Sequence, residues 1–303
     1  MVVDNEAMDT DGKEKQNTPY RYGVGELYGY DLGSLKPKKI REFSKAGFKT
    51  LSCPFKGGGE PCNKKGGVCS LRPYVEDTGD VIPLEGTSLV ATCPSRFQDD
   101  NTALSWVADT LLHTRNPLVI RELPFLMSTR EKDHELSVGK IDMVLVHPDT
   151  SELRWCALEI QAVYFSGDAM SKDFKVMKSW KGPGIPFPEG RRHPDFRSSG
   201  PKRLMPQMQI KVPTISRWGK KMAVVVDLPF WNSLGPISEV EHVSNCDIAW
   251  FVMGYRKHGK RFKMEPHGLH LTTLDRAVEG LTAGKPTSLS SFELSLREKL
   301  DCS

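Results

Sequence analysis

No stretch of this 303-residue chain is apolar for long enough to cross a membrane as a helix, which takes about 20 residues. The opening residues, MVVDNEAMDTDGKEKQNTP, lack the basic start and apolar run of a secretory leader. They are polar, so residues 1–20 are expected to form a disordered tail. The seven cysteines lack an even count and a CxxC pair, and with no leader they argue against a disulfide framework. Charge lacks a dominant sign: 42 Lys and Arg against 38 Asp and Glu leave a net +4. No internal repeat is evident. These absences point away from membrane, secreted and repeat proteins, toward a soluble globular protein of the cytoplasm.

Charge is instead concentrated locally. Between Lys172 and Arg203 nine Lys and Arg face three Asp and Glu, among interspersed Gly and Pro. Such a stretch either tracks phosphates or is a solvated loop. Residues 21–98 are rich in Gly and Pro and contain four cysteines. Residues 101–114 place Leu104, Val107, Ala108, Leu111 and Leu112 on one helical face. Strands follow in PLVIRELPFL, KIDMVLVH, LRWCALEIQAV, KMAVVVDLP and CDIAWFVMGYR, with helices near DAMSKDFKVMKSW, over 204–221, and in TTLDRAVEGLTA and SLSSFELSLREKL. The order predicts an α/β (α+β) fold, with a mixed central sheet flanked by helices. Three parts are expected: the tail, a cysteine-bearing region over 21–98, and a core over 99–303 with a basic loop insertion at 166–203.

Two carboxylates fall together in this scheme. HPDTSE reads as the turn of a hairpin between KIDMVLVH and LRWCALEIQAV. Asp142 and Glu159 share a midpoint near residue 150, inside that turn. Opposed residues of a tight hairpin share such a midpoint, with Cβ atoms about 5 Å apart. Like charges that close raise one another's pKa unless a cation intervenes. A hard divalent cation such as Mg²⁺ resolves the conflict. Gln161 lies on the same strand face as Glu159, and Glu135 is close enough in sequence to reach in. The plainer reading is a hairpin with two edge carboxylates facing water. The apolar flanks Ala157, Leu158 and Ile160 count against it, because they suggest a central strand.

The early cysteines are Cys53, Cys62, Cys69 and Cys93, spaced by eight, six and 23 residues. The surrounding KGGGEPCNKKGG cannot build a regular element and must be held by something else. A tetrahedral four-thiolate site would fix it, and metal binding would then contribute folding free energy. The alternative is unligated thiols. Zn²⁺ is the ordinary occupant by ligand type, with iron the minority one. Cys156 and Cys246 lie in or beside apolar stretches and read as buried small hydrophobes.

SCPFKGGGEPCNKKGGVC, the later TCP, HELSVGKID and CALEIQAVYFSG, taken in order, resemble the NotI-type (NotI/EagI) family of type II restriction endonucleases, in the PD-(D/E)xK superfamily. The resemblance covers roughly residues 30–295 and implies a PD-(D/E)xK nuclease core. It also implies a homodimer that cuts both strands of double-stranded DNA at a GC-rich palindrome with a GGCC core, such as CGGCCG or GCGGCCGC. It further implies a Mg²⁺ requirement, a structural iron on four cysteines, a cognate DNA methyltransferase in the same system, and a prokaryotic cytoplasm. The family's active site maps onto Glu135, Asp142, Glu159 and Gln161, and its cysteine ligands onto Cys53, Cys62, Cys69 and Cys93. Asp142, Glu159 and the Ile160 carbonyl would hold Mg²⁺. Gln161 stands where the superfamily usually has Lys, so it can position a water but cannot supply charge.

Guanine-rich sites are read most often by Arg or Lys. Arg191, Arg192, Arg197, Lys202 and Arg203 are candidates in the insertion, with Gln207 and Gln209 just beyond it. Two rivals remain at this level. One is a non-catalytic DNA-binding protein with a four-cysteine zinc module. The other is a nuclease using His258, His267 and His270, whose spacing matches no defensible metal pattern.

Overall fold

The computed structural model describes residues 20–127, 137–283 and 287–301. Glu135 therefore lies outside the described residues.

The N-terminal part builds an antiparallel sheet that the glycine- and proline-rich sequence did not announce. Its strands are β1 (Arg21–Leu27), β2 (Tyr30–Asp31), β3 (Val68–Asp77), β4 (Asp80–Pro83) and β5 (Val90–Ala91). They pair in the order β2-β1-β3-β4, with β5 also on β3. Helix α1 (Pro37–Lys45) adds Ile40 and Phe43 to a core with Val24, Leu27, Val68, Leu71 and Tyr74. So this region does own a core, although KGGGEPCNKKGG itself forms only two short 3₁₀ turns. Gly67 shows why glycine is needed there. Its φ is +68°, and a Cβ would run into the Tyr28 ring.

The C-terminal part is a six-stranded sheet in the order β13-β12-β11-β8-β7-β6. Its strands are β6 (Leu118–Met127), β7 (Ser137–Val146), β8 (Trp155–Ile160), β11 (Met222–Asp227), β12 (Ile248–His258) and β13 (Arg261–Thr272). β11 runs parallel to both β8 and β12, and the other pairs are antiparallel. A parallel strand covered on both faces reads as a continuous apolar run, and MAVVVD is buried throughout. Helix α2 (Thr102–Leu112) covers one face through Leu104, Val107 and Ala108, as its spacing predicted. The other face takes α5 (Met205–Arg217) through Met208, Val212 and Ile215, and α7 (Leu274–Thr282) through Ala277 and Leu281. Helices α6 (Leu228–Asn232) and α8 (Leu289–Asp301) complete this part. None of the described helices is long and apolar enough to cross a membrane.

β13 is a second departure from the sequence reading. Its Lys263, Glu265, Pro266 and Gly268 hide the strand from an apolar count. Pro is acceptable because β13 is an edge strand, and the register with β12 shifts beside Pro266. The insertion 166–203 is likewise more ordered than a loop. It holds β10 (Arg192–Asp195), which pairs with β9 (Tyr164–Gly167), and helices α3 (Ser171–Met177) and α4 (Phe196–Ser199). Phe174, Met177 and Ile185 dock on the N-terminal core, so the insertion ties the two sheets together.

Candidate active site

The β7–β8 hairpin places the carboxylate pair. Its register runs Val146↔Trp155, Leu145↔Cys156, Val144↔Ala157 and Met143↔Leu158. One further step sets Asp142 opposite Glu159, at the end of the hairpin farthest from the turn. Leu158 and Cys156 face α2, while Ala157 faces the α5 side. By strand alternation Glu159 shares the α5 side.

The two carboxylates differ sharply in environment. The Glu159 side chain is 3% exposed, whereas that of Asp142 is 62% exposed. Burial pushes Glu159 up to about 7. The Lys211 ammonium opposes that rise and the Asp142 charge adds to it. Asp142 opens onto a cleft of about 540 Å³, lined also by Lys56, Glu60, Asn63, Gln98 and Arg121. A second cleft of about 720 Å³ is lined by Gln161, Lys64, Lys65, Lys202, Arg203 and Gln207. Ile160 and Pro94 border both clefts, so the end of β8 divides them.

Lys211 was not singled out by the sequence reading, yet its side chain completes the site. It projects from α5 and forms a buried ion pair with Glu159 Oε1, while its Nζ lies 3.8 Å from Asp142 Oδ1. A signal existed. Met208, Val212 and Ile215 define the buried stripe of α5, and Lys211 falls on that stripe, where a charge is out of place without a partner. The cation expected between the two carboxylates is therefore, in this structure, a lysine ammonium.

Gln161 lies one residue past β8. Its backbone N–H donates to Val225 O (3.0 Å), and its side-chain amide donates to Ala162 O (2.5 Å).

The cysteines come from three places: a turn held by Cys53 N–H to Glu60 O and Cys62 N–H to Leu51 O (both 2.8 Å), strand β3, and the entry to the 3₁₀ turns after β5. Cys53, Cys62, Cys69 and Cys93 are all buried free thiols. Burial pushes the Cys62 thiol up, and the neighbouring Cys53 and Cys93 add to the rise. Cys69 is raised by burial, then by Glu26 and Cys93. The four are thus electrostatic neighbours. Among the described residues, however, no three His, Cys, Asp or Glu side chains converge as metal ligands. The same holds for His258, His267 and His270, which lie along the β12–β13 edge hairpin. Cys156 and Cys246 are each 1% exposed, as small core residues should be.

Among the expected DNA contacts, Arg192 needs correction. It is buried, and its guanidinium is used internally: Nη1 donates to Asp173 Oδ2 (2.5 Å) and Tyr22 O (2.8 Å), and Nε to Asp168 O (3.2 Å). It braces the insertion against β1. Arg191, Arg197, Lys202, Arg203, Gln207 and Gln209 are exposed. Arg203 lies over the Tyr164 ring at 3.4 Å, at the mouth of the larger cleft.

Residues 37–264 match the family model described as Restriction endonuclease NotI. No curated protein matches the chain.

Proposed function

The chain belongs to the NotI restriction endonuclease family, a family of site-specific deoxyribonucleases, and from that premise we propose that Asp142 and Glu159 form the centre that cuts DNA. The observation that carries this reading is one buried and one cleft-facing carboxylate opposed on a central hairpin. Two such oxygen donors suit a hard divalent cation. Asp142, Glu159 and the Ile160 carbonyl would hold Mg²⁺, and Glu135 would support its water shell. When bound, Mg²⁺ polarises the phosphate and lowers the pKa of the attacking water. Gln161 would orient that water, since a carboxamide both donates and accepts hydrogen bonds.

The substrate proposed is a GC-rich palindrome with a GGCC core, cut on both strands by a homodimer carrying one such site per subunit. Lys202, Arg203 and Gln207 would contact the DNA from the wall of the larger cleft, and the exposed Arg191 from beside it. Cys53, Cys62, Cys69 and Cys93 would hold a structural iron or zinc. Support for this is chemical: all four are buried free thiols, and burial and neighbouring cysteines push Cys62 and Cys69 up, an arrangement a cation would relieve. A cognate methyltransferase and a prokaryotic cytoplasm complete the proposal.

Supercoiled plasmid carrying GC-rich palindromes tests it. Incubation with Mg²⁺ should give discrete linear fragments whose sequenced ends share one palindrome, and chelator should prevent them. Binding of the same DNA with no cleavage in Mg²⁺ would refute the nuclease centre and favour a DNA-binding protein with a cysteine module.

A further inference from the structure

A lysine on the buried stripe of a helix is costly unless the fold uses its charge. Lys211 is 7% exposed and spends its ammonium on Glu159, with Asp142 3.8 Å away. Among the described residues no other cation forms an ion pair with either carboxylate. A counter-ion for Glu159 alone would not need to sit within reach of Asp142, which faces the cleft. Meanwhile Gln161 is neutral, and its side-chain amide donates to its neighbour's carbonyl. So strands β7 and β8 provide one carboxylate each and no cation beside them, and helix α5 provides a cation at the same point.

We propose that Lys211, delivered from α5, supplies the active-site positive charge that Gln161 does not. The proposal rests on the reading of Asp142 and Glu159 as the cleavage centre. In hydrolysis the water oxygen bonds to phosphorus, the bond from phosphorus to the 3′ oxygen breaks, and the water's proton ends on that oxygen. Negative charge accumulates on the phosphate as this happens. An ammonium has three N–H donors and a positive charge, so it can hold the water and offset that charge together. Lys211 would thus be a catalytic residue carried by a different element from its partners.

Four variants test this: Lys211→Met, Lys211→Gln, the double variant Gln161→Lys/Lys211→Met, and Asp142→Ala as a control. Single-turnover cleavage in Mg²⁺ is measured beside DNA binding in chelator and a melting curve. Lys211→Met should slow cleavage by about a hundredfold to a thousandfold, the usual cost of losing one transition-state donor. Its affinity for DNA should stay within about threefold of the parent, because a group acting only in the transition state leaves binding alone. The double variant should recover about tenfold or more of the lost rate, since it restores a lysine at the strand position. A packing role on α5 gives no such rescue, because position 161 is not on that helix.

Cleavage by Lys211→Met within about tenfold of the parent, or a double variant no faster than Lys211→Met, overturns the proposal. Should Lys211→Met not fold, Lys211→Gln decides. Lys211→Gln keeps a polar hydrogen-bonding side chain but removes the charge, so unslowed cleavage overturns the proposal, and slowed cleavage with unchanged binding supports it. The control separates the two levels. Active Asp142→Ala removes the whole centre from contention, whereas inactive Asp142→Ala beside active Lys211→Met removes Lys211 alone.

Discussion

Asp142→Ala and Glu159→Ala should be equally inactive and unequally stable. The Asp142 side chain is 62% exposed, and without it Lys211 keeps its pair with Glu159. No buried group loses its main partner, so the stability change should stay within about 0.5 kcal/mol. The loss even relieves repulsion, because the Asp142 charge helps hold Glu159 near 7. Glu159→Ala is different. It leaves the Lys211 ammonium buried, with only a cleft-facing carboxylate at 3.8 Å. Breaking a buried pair from one side costs about 3–5 kcal/mol, and residual help from Asp142 sets the expectation at about 3. Both variants lose a proposed metal ligand. If that removes about 4 kcal/mol of transition-state stabilisation, cleavage falls by roughly a thousandfold, at 1.36 kcal/mol per decade. The assay is single-turnover plasmid cleavage, read beside DNA binding in chelator and urea unfolding. Cleavage by Asp142→Ala within about tenfold of the parent would refute the reasoning. So would equal destabilisation by the two substitutions, since it would mean that burial does not distinguish the carboxylates.

Other consequences are independent of that pair. Asp227 is fully buried, accepts from Ala91 N–H (2.6 Å) and Phe230 N–H (3.0 Å), and is pushed by burial up to about 7. Below its usual 3.8 both folded and unfolded states hold the proton; from there to about 7 only the unfolded state gives it up. The parent should therefore lose stability relative to Asp227→Asn as pH rises through that window, by at most about 1.4 kcal/mol per pH unit, then level off. Urea midpoints across pH check this, and parallel curves would contradict it. Arg192→Ala should cost about 3 kcal/mol or more by stranding Asp173, while Arg203→Ala should leave stability unchanged and weaken DNA binding with a salt slope smaller by about 1. Unfolding and binding titrations separate the two, and loss of binding by a stable Arg192→Ala would restore it as a DNA contact. Elemental analysis should find about one iron or zinc per purified chain, lowered by Cys62→Ser or Cys93→Ser. A metal-free parent that melts normally would dismiss the thiolate site.

The sequence alone determined a good deal. The stripe of α2, the apolar run of β11 and the turn signal of HPDTSE are local features, and local periodicity fixed both the elements and the hairpin register. That register was enough to oppose Asp142 and Glu159, because a tight hairpin has one midpoint. Other elements were illegible for physical reasons. In the N-terminal sheet β1 is interrupted by Gly23 and Gly25 and strands β2, β4 and β5 are at most four residues long, while β13 is an edge strand with Arg261, Lys263 and His267 facing water. Tertiary structure decided what the carboxylates meet. Lys211 lies 52 residues from Glu159, and no spacing rule links a helix to a strand that far away. Tertiary structure also decided that Arg192 points inward to Asp173 while Arg203 stays outside, although both belong to the same basic stretch. Pattern along a chain reports which face a residue occupies. What waits on that face depends on how distant elements pack, and packing alone brought a helical ammonium to a pair of strand carboxylates.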